Sequence, residues 1–198
     1  MSSGDPVPYD EALRLAMELV WLFAPACEQV TWAGSLRRRK PTVGDIEIIA
    51  QPRYEEVRDG LFDTVRASAL DALLESFPRR PVTVHRADGS EDGQVRDGSA
   101  YKALAYRGMP VDLFVVDPQR ADWGVILTIR TGPADFSREL VTRCRTWGRR
   151  VQGGRLYVRG AYAPCPTERE FFAAVGMPWL EPEDRDPERV RALMGREE

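Results

Sequence analysis

The feature that most restricts the fold of this 198-residue chain is a short run of alternating acidic and apolar residues, DIEI at positions 45–48. Because successive side chains of a strand point to opposite faces, Asp45 and Glu47 share one side and the two isoleucines share the other. The pattern predicts a half-buried strand over residues 45–51. Adjacent carboxylates repel each other unless a cation neutralises them, and such hard oxygen ligands suit Mg²⁺ or Mn²⁺. Taken alone, the pattern also fits the exposed face of an edge strand.

A Gly-Ser turn and three arginines precede this strand. Gly34 and Ser35 follow an apolar segment, and a turn of this kind can offer backbone N–H groups and a hydroxyl to phosphate oxygens. Arg37, Arg38 and Arg39 add charge-assisted donors. The phosphate-binding turn and the acidic strand lie about ten residues apart, as a nucleoside triphosphate with its cation would require.

A third candidate carboxylate, Asp112, opens a second apolar run, DLFVV. If its strand lies beside the first one, Asp112 becomes level with the first two acidic residues. Three such carboxylates can hold two metal ions that clamp the attacking and leaving oxygens of an in-line displacement. Asp117 differs in parity from Asp112, and we interpret it as a turn residue.

Hydrophobic periodicity predicts two long amphipathic helices in the first half of the chain. One covers residues 9–24, and its predicted core stripe contains Leu13, Met17, Val20 and Ala24. The other covers residues 61–77 and ends before a proline.

The remaining elements are predicted from turn and capping signals. They are a strand at 29–34, a strand with a glycine-rich turn at 82–93, two strands around an Arg107-Gly108 turn at 100–117, two helices split at Gly132-Pro133, a hairpin at 149–160 with Gly153-Gly154 at its tip, a helix capped by Thr167 and Glu170, and a last helix at 187–194.

Composition predicts a globular protein without a membrane span. The chain is 43% hydrophobic, which suffices for a core. It has no run of about 18 apolar residues and no N-terminal signal pattern. Cys27, Cys144 and Cys165 lack the spacing of metal ligands, and we interpret them as free thiols. We therefore expect a soluble, cytoplasmic protein.

Charge is unevenly distributed along the chain. Residues 34–180 carry +4, because the first 33 residues carry −4 and residues 181–198 carry −3. The segment WGRRVQGGRLYVRG contains no acid, and its arginines are candidate contacts to DNA phosphates. These are Arg149, Arg150, Arg155 and Arg159. An ordinary solvated hairpin is the alternative interpretation.

Together these residues resemble the nucleotidyltransferase superfamily, and specifically DNA polymerase family X. The family pattern of Gly-Ser, a hydrophobic residue, Arg-Arg and Gly-Asp-x-Asp is matched by Gly34, Ser35, Leu36, Arg37, Arg38, Gly44, Asp45 and Glu47, and the third family aspartate is matched by Asp112. The segments at 128–148 and 166–185 resemble later signatures of the family, in the same order.

The resemblance implies an α/β (α+β) fold with two parts. Residues 1–118 would form a nucleotidyltransferase palm, a mixed β-sheet flanked by helices. Residues 119–198 would form a smaller C-terminal lobe that binds nucleotide and DNA. Because the resemblance begins near the start of the chain, it also implies a minimal, monomeric form without the N-terminal lyase domain, like the smallest viral members.

The resemblance further implies the roles of individual residues. Asp45, Glu47 and Asp112 would hold two Mg²⁺ or Mn²⁺ ions. Gly34, Ser35 and Arg38 would bind the triphosphate, and Thr131 and Gly132 would belong to the lobe that closes over the nucleotide. The Gly132-Pro133 bond is expected to be cis, as the corresponding bond is in relatives.

The implied activity is template-directed DNA synthesis from dNTPs on a primer-template or gapped DNA, in short-gap filling or repair. The sequence departs from the family pattern at Glu47, which replaces an aspartate, and at Pro110, which replaces an arginine two residues before the third aspartate. Two alternatives remain open. One is nucleotidyl transfer to an aminoglycoside, an RNA end or a protein hydroxyl. The other, a non-catalytic nucleic-acid-binding module, is disfavoured because all three acidic positions are retained.

Overall fold

The computed structural model describes residues 5–59, 63–85, 91–95, 97–119 and 122–194, and along them the chain folds as two units. The first unit contains the residues up to Trp32 together with Pro41–Pro118. The second contains Ala33–Lys40 together with the residues from Gln119 onwards. The segment 33–40 thus packs with the C-terminal part of the chain, although the predicted division places it in the N-terminal part.

The helices and strands follow one another along the chain in a mixed α/β order. They are β1 (Val7–Pro8), α1 (Tyr9–Phe23), β2 (Cys27–Trp32), α2 (Gly34–Arg37), β3 (Thr42–Val43), β4 (Ile46–Pro52), β5 (Tyr54–Asp59), β6 (Asp63–Ser68), α3 (Ala69–Leu74), β7 (Pro81–His85), β8 (Glu91–Val95), β9 (Tyr101–Tyr106), β10 (Met109–Val115), α4 (Trp123–Thr131), α5 (Ala134–Thr146), β11 (Arg149–Gln152), β12 (Arg155–Val158), β13 (Ala161–Ala163), α6 (Glu168–Ala174) and α7 (Pro187–Met194).

A mixed four-stranded sheet forms the centre of the first unit. Its strand order is β2-β4-β10-β9; β4 and β10 run parallel, and the two outer pairs run antiparallel. The two central strands are rich in fully buried apolar residues, as is typical of strands covered on both faces. Helix α1 packs against β2 and β4. The predicted fold class, a mixed sheet flanked by helices, is confirmed.

Helix α1 is confirmed, but its predicted core stripe is wrong. Met17 is 55% exposed. The buried residues lie on a neighbouring face at the expected spacing of three and four: Ala12, Leu15, Ala16, Leu19 and Phe23. Apolar residues occupy both faces of this helix, so periodicity alone did not decide which one meets the sheet.

The helix predicted over residues 61–77 is wrong in its first half. Residues 63–68 form β6, which pairs antiparallel with β5. The helix α3 starts only at Ala69, because the side chain of Ser68 accepts a hydrogen bond from the backbone N–H of Asp71 at 3.1 Å and caps it. Residues 61 and 62 lie outside the described part of the chain.

Two predicted hairpin turns of the chain are confirmed by their backbone angles. Arg107 and Gly108 have φ of 48° and 84°, and Gly153 and Gly154 have φ of 57° and 77°. Positive φ at both central residues is the requirement of a tight two-residue turn between antiparallel strands. The predicted glycine-rich turn before β8 lies partly outside the described residues, but β7 and β8 pair as an antiparallel hairpin.

The second unit consists of helices packed with a three-stranded sheet in the order β11-β12-β13. The predicted break between α4 and α5 lies at Gly132-Pro133, but this peptide bond is trans and not cis. The predicted capping box of α6, between Thr167 and Glu170, is also present. The core of this unit is formed chiefly by aromatic and branched side chains, including Phe136, Leu140, Leu156, Phe171, Phe172 and Val190.

The structure bears on two predictions, the absence of a membrane span and the free state of the cysteines. Within the described ranges, no helix has both the length and the apolar character needed to cross a membrane. Cys27, Cys144 and Cys165 are all buried and free. Burial raises the pKa of the Cys144 thiol to about 12, which disfavours the thiolate that a metal ligand requires.

Helix α4 approaches the start of α6 at backbone distance through Gly124. The Gly124 N–H donates to the Cys165 carbonyl at 2.9 Å. A Cβ at this position would lie 2.0 Å from the Thr167 carbonyl oxygen. Only glycine therefore allows these two helices to pack as they do.

We expect Gly124→Ala to destabilise the protein by about 2 kcal/mol or more, because the methyl group overpacks the contact between α4 and α6. In an ordinary helix interior the same change stabilises the protein by about 1 kcal/mol. The sign of the change in unfolding free energy therefore distinguishes overpacking from ordinary helix propensity. The measurement is the unfolding free energy in urea. Gly98→Ala is the control, since its nearest contact would be an ordinary 3.6 Å. A neutral or stabilising Gly124→Ala would contradict the packing argument.

Candidate active site

Two of the predicted site carboxylates lie side by side in the central sheet. Asp112 of β10 is the direct register partner of Glu47 of β4. In a parallel pair, register partners project from the same face of neighbouring strands, about 4.8 Å apart at the backbone. Both residues are half-buried, between fully buried neighbours in their strands. The sheet thus places two carboxylates together at a partly solvated position, where like charges disfavour ionisation of both.

The third predicted carboxylate, Asp45, immediately precedes β4 and is half-buried. Over the described ranges, no group of three or more acidic, histidine or cysteine side chains is gathered so that it could hold a metal ion. The structure therefore brings Glu47 and Asp112 together without assembling the full predicted set. The carboxylate oxygens of Glu47 and Asp112 still suit a hard divalent cation such as Mg²⁺, which prefers one or two protein carboxylates together with substrate oxygens.

Asp112 is held by two donors that the sequence analysis missed. Arg80 Nη2 and the hydroxyl of Tyr101 both donate to Asp112 Oδ1, the hydroxyl at 2.9 Å. The backbone N–H of Arg80 donates to the Ala103 carbonyl at 2.9 Å, which fixes this residue beside β9. One signal was available in the sequence. Because Pro110 stands where relatives have an arginine, a positive charge from elsewhere in the chain was to be expected.

The predicted phosphate-binding turn forms a short helical turn in the second unit. Gly34 has φ of 61°, a conformation that favours glycine. The N–H of Arg38 donates to the Gly34 carbonyl at 3.2 Å, and that of Lys40 donates to the Ser35 carbonyl at 3.1 Å. Ser35 is half-buried. The glycine is thus required by the local backbone.

Three of the residues predicted to bind nucleotide lie close together in this unit: Arg38, Thr131 and Gly132. Arg38 Nη1 donates to the Thr131 carbonyl at 2.5 Å. Gly132 follows at the end of α4, where a Cβ would lie 2.2 Å from the Phe136 ring. Gly132 therefore has a packing role that is independent of any ligand.

Arg37, which we expected to add a phosphate donor, instead forms a buried ion pair. Its guanidinium donates to both carboxylate oxygens of Glu168, at 2.9 and 2.6 Å, and to the Thr131 hydroxyl at 2.7 Å. Arg185, whose side chain is fully buried, donates to the same carboxylate at 2.8 Å. Glu168 thus ties α2, α4 and the C-terminal segment of the unit together.

The charge of Glu168 is maintained by these partners. Burial alone would raise its pKa, but the hydrogen bonds from Arg37 and Arg185 outweigh burial and hold the pKa below its ordinary value of 4.5. A group with a lowered folded-state pKa stabilises the fold above its unfolded pKa and loses this contribution as the pH falls through the folded value.

We expect Glu168→Gln to lower the unfolding free energy at pH 7 by about 3 kcal/mol, because it leaves Arg185 as an uncompensated buried charge and removes the carboxylate partner of Arg37. Below about pH 4.5 the difference from the wild type should shrink, because the wild-type unfolded state then binds a proton that the folded protein accepts only at a lower pH. The measurement is thermal unfolding between pH 7 and pH 3. Glu170→Gln, at the exposed capping box, is the control. A pH-independent difference between Glu168→Gln and wild type would contradict this account.

The four arginines predicted to contact DNA differ in their surroundings. Arg149 donates to the Ala174 carbonyl at 2.7 Å, and the Arg155 Nε lies 3.5 Å from a carboxylate oxygen of the buried Asp122. Arg150 is exposed and lies over the Tyr157 ring, 5.6 Å from its centroid, and Arg159 is exposed. Arg149 and Arg155 therefore hold the sheet in place, whereas Arg150 and Arg159 present charge to solvent.

Comparison with known proteins shows what the chain is similar to. Residues 126–186 match the family model of the DNA polymerase beta thumb. This segment includes α5, the three-stranded sheet and α6. Over 166 residues the chain is 25% identical to DNA polymerase lambda of Rattus norvegicus, an alignment that covers 77% of this chain and 28% of the rat protein. The chain thus spans less than a third of that relative's length.

Proposed function

The chain is related to DNA polymerase family X, and we propose on this premise that it is a divalent-cation-dependent DNA polymerase. It adds deoxynucleotides from dNTPs to the 3′-hydroxyl of a primer. A template strand, such as the strand opposite a short gap, directs which nucleotide is added. The reaction forms a bond between the primer 3′-oxygen and the α-phosphorus, and pyrophosphate leaves.

The observation that carries this proposal is the register pairing of Glu47 with Asp112. Two half-buried carboxylates on adjacent strands repel each other when both are ionised, and they supply the oxygen ligands that a divalent cation needs. A cation bound there would acidify the primer hydroxyl and offset the charge of the triphosphate. Asp45, immediately before the strand that contains Glu47, would be the third ligand.

Nucleotide binding is assigned to the turn at Gly34 and Ser35 and to Arg38. The contact of Arg38 with the Thr131 carbonyl fixes the orientation of its guanidinium. The ion pair of Arg37 with Glu168 stabilises the position of the turn. In this arrangement Arg37 positions the turn, and Ser35 and Arg38 bind phosphate oxygens through a hydroxyl and charge-assisted donors.

DNA binding is assigned to the exposed arginines of the three-stranded sheet. Arg150 and Arg159 carry charge to solvent on a sheet that the Arg155–Asp122 and Tyr162–Asp122 contacts hold in place. Phosphate contacts of this kind give affinity without sequence preference, as a polymerase requires. A nucleotidyltransferase for a small acceptor has no need of such a surface.

Primer extension with Mg²⁺ or Mn²⁺ tests the proposal directly. A recessed primer-template, a DNA with a short gap and a single strand without template are compared. Template-dependent incorporation on the first two supports the polymerase. Incorporation on the single strand alone, or transfer only to an RNA end or an aminoglycoside, would instead identify the alternative nucleotidyltransferase activity.

We expect Asp112→Asn to lower single-turnover incorporation by about a hundredfold or more, because a neutral amide is a much weaker cation ligand than a carboxylate. The fold should persist, which circular dichroism and thermal unfolding will check. Asp117→Asn, a carboxylate just beyond the end of β10, is the matched control and should stay near wild type. A rate for Asp112→Asn above about a tenth of wild type, equivalent to less than about 1.4 kcal/mol, would refute the assignment.

We expect Arg150→Glu combined with Arg159→Glu to weaken duplex binding at low salt while leaving dNTP binding unchanged. Each phosphate contact that is lost should reduce the slope of log K against log salt by about 0.9. The measurement is fluorescence anisotropy of a labelled primer-template over a salt series. Arg145→Glu combined with Arg189→Glu is the control, because it makes the same charge change at exposed sites outside the sheet. Equal effects of both double variants would leave only a general charge effect.

A further inference from the structure

We propose that Arg80 is a built-in counter-charge of the acidic pair, Glu47 and Asp112: it binds Asp112 when no cation is present and competes with the cation for that carboxylate. The proposal rests on the proposed function only in taking Glu47 and Asp112 as cation ligands. It assigns to Arg80 a regulatory effect on cation affinity and not a direct role in chemistry.

Arg80 offsets the electrostatic repulsion within the acidic pair. Glu47 and Asp112 are register partners on neighbouring strands, and both are half-buried. Without a positive charge nearby, this arrangement would destabilise the sheet whenever both residues are ionised. Arg80 supplies that charge through its ion pair with Asp112, and only 14% of the Arg80 side chain is exposed.

Arg80 also occupies an oxygen that is a candidate cation ligand. Arg80 and Tyr101 both donate to the same oxygen, Asp112 Oδ1. A cation that takes this oxygen must share it with a guanidinium of the same sign or displace it. Because like charges at such a distance repel strongly, the pairing of Arg80 with Oδ1 weakens the binding of a cation by Asp112.

The guanidinium of Arg80 is incompletely hydrogen-bonded. Its Nε is buried and makes no hydrogen bond within the described part of the chain. A buried donor without a partner is costly, so this guanidinium is held mainly by the charge of Asp112. An arginine held in this way is released more easily than one fixed by several hydrogen bonds.

Arg79, the preceding residue, is held by more hydrogen bonds than Arg80 among the residues that the structure describes. Arg79 pairs with Asp97 at 2.8 Å, and its Nη1 donates to the carbonyls of Leu74 and Phe77 at 2.9 Å each. Arg79 therefore fastens the end of α3 to the sheet. Arg79 and Arg80 are adjacent, are both largely buried and both form ion pairs, but only Arg80 contacts a residue of the acidic pair.

The test measures binding of Mn²⁺ alone, in the absence of nucleotide and DNA, by the electron paramagnetic resonance signal of the free ion. We expect Arg80→Met to bind Mn²⁺ at least about threefold more tightly than wild type, because a competing positive charge is removed. Arg80→Lys, which retains the charge, should remain near wild type. Arg79→Met is the matched control and should leave Mn²⁺ affinity unchanged.

A second readout is thermal stability. Without a cation, Arg80→Met should unfold at a lower temperature than wild type, and Mn²⁺ should raise its Tm by more than it raises that of wild type, since tighter binding to the folded state stabilises it further. If the methionine variant does not fold, Arg80→Gln removes the charge while retaining a hydrogen-bond donor and makes the same comparison.

The outcomes separate this inference from the proposed function. Unchanged or weaker Mn²⁺ binding by the neutral Arg80 variants, with binding still lost in Asp112→Asn, would overturn the counter-charge while leaving the cation site intact. Equal Mn²⁺ binding by wild type and Asp112→Asn would mean that the acidic pair is not the cation site, and both proposals would fail. The inference is supported if the neutral Arg80 variants bind Mn²⁺ more tightly than wild type while Arg80→Lys and Arg79→Met do not.

Discussion

The parallel pairing of β4 with β10 is the constraint on which the candidate site depends. These strands are distant in sequence, and their register alone sets Asp112 opposite Glu47. A shift of one residue would turn Asp112 to the other face of the sheet and bring a buried leucine or valine in its place. The apolar residues on either side of both carboxylates fix the register, because each of them must stay in the core. The hydrophobic core thus positions the charged residues.

A second constraint operates in the second unit. Glu168 receives hydrogen bonds from Arg37, Arg185 and Thr128, and its charge is offset by the two arginines. A buried ion network of this kind adds little net stability but is costly to break, so it favours one arrangement of the segments that it joins. The segment containing Ser35 and Arg38 is one of these. The match of residues 126–186 to a polymerase thumb falls on the helices and sheet that support this network.

Local signals in the sequence predicted the elements whose cause is local. The glycine-tipped hairpin, the capping box of α6, the break at Gly132-Pro133 and the alternating strand at Asp45 depend on neighbours within a few residues. The errors arose where a distant partner decided. Residues 63–68 have a helical hydrophobic spacing but form a strand, because β5 pairs with them. Met17 fits a helical core stripe but is exposed, because the sheet packs on the adjacent face.

The same distinction holds for the site. The sequence by itself determined the chemistry: acidic residues on a strand, a glycine turn with arginines after it, and a basic hairpin. Tertiary structure alone decided which of these residues meet. It paired Asp112 with Glu47 and Arg80, directed Arg37 to Glu168, and occupied Arg149 and Arg155 with contacts inside the unit. A strand pattern states which face a side chain takes, whereas its partner across the sheet or in an ion pair depends on the register and packing of segments far apart in the chain.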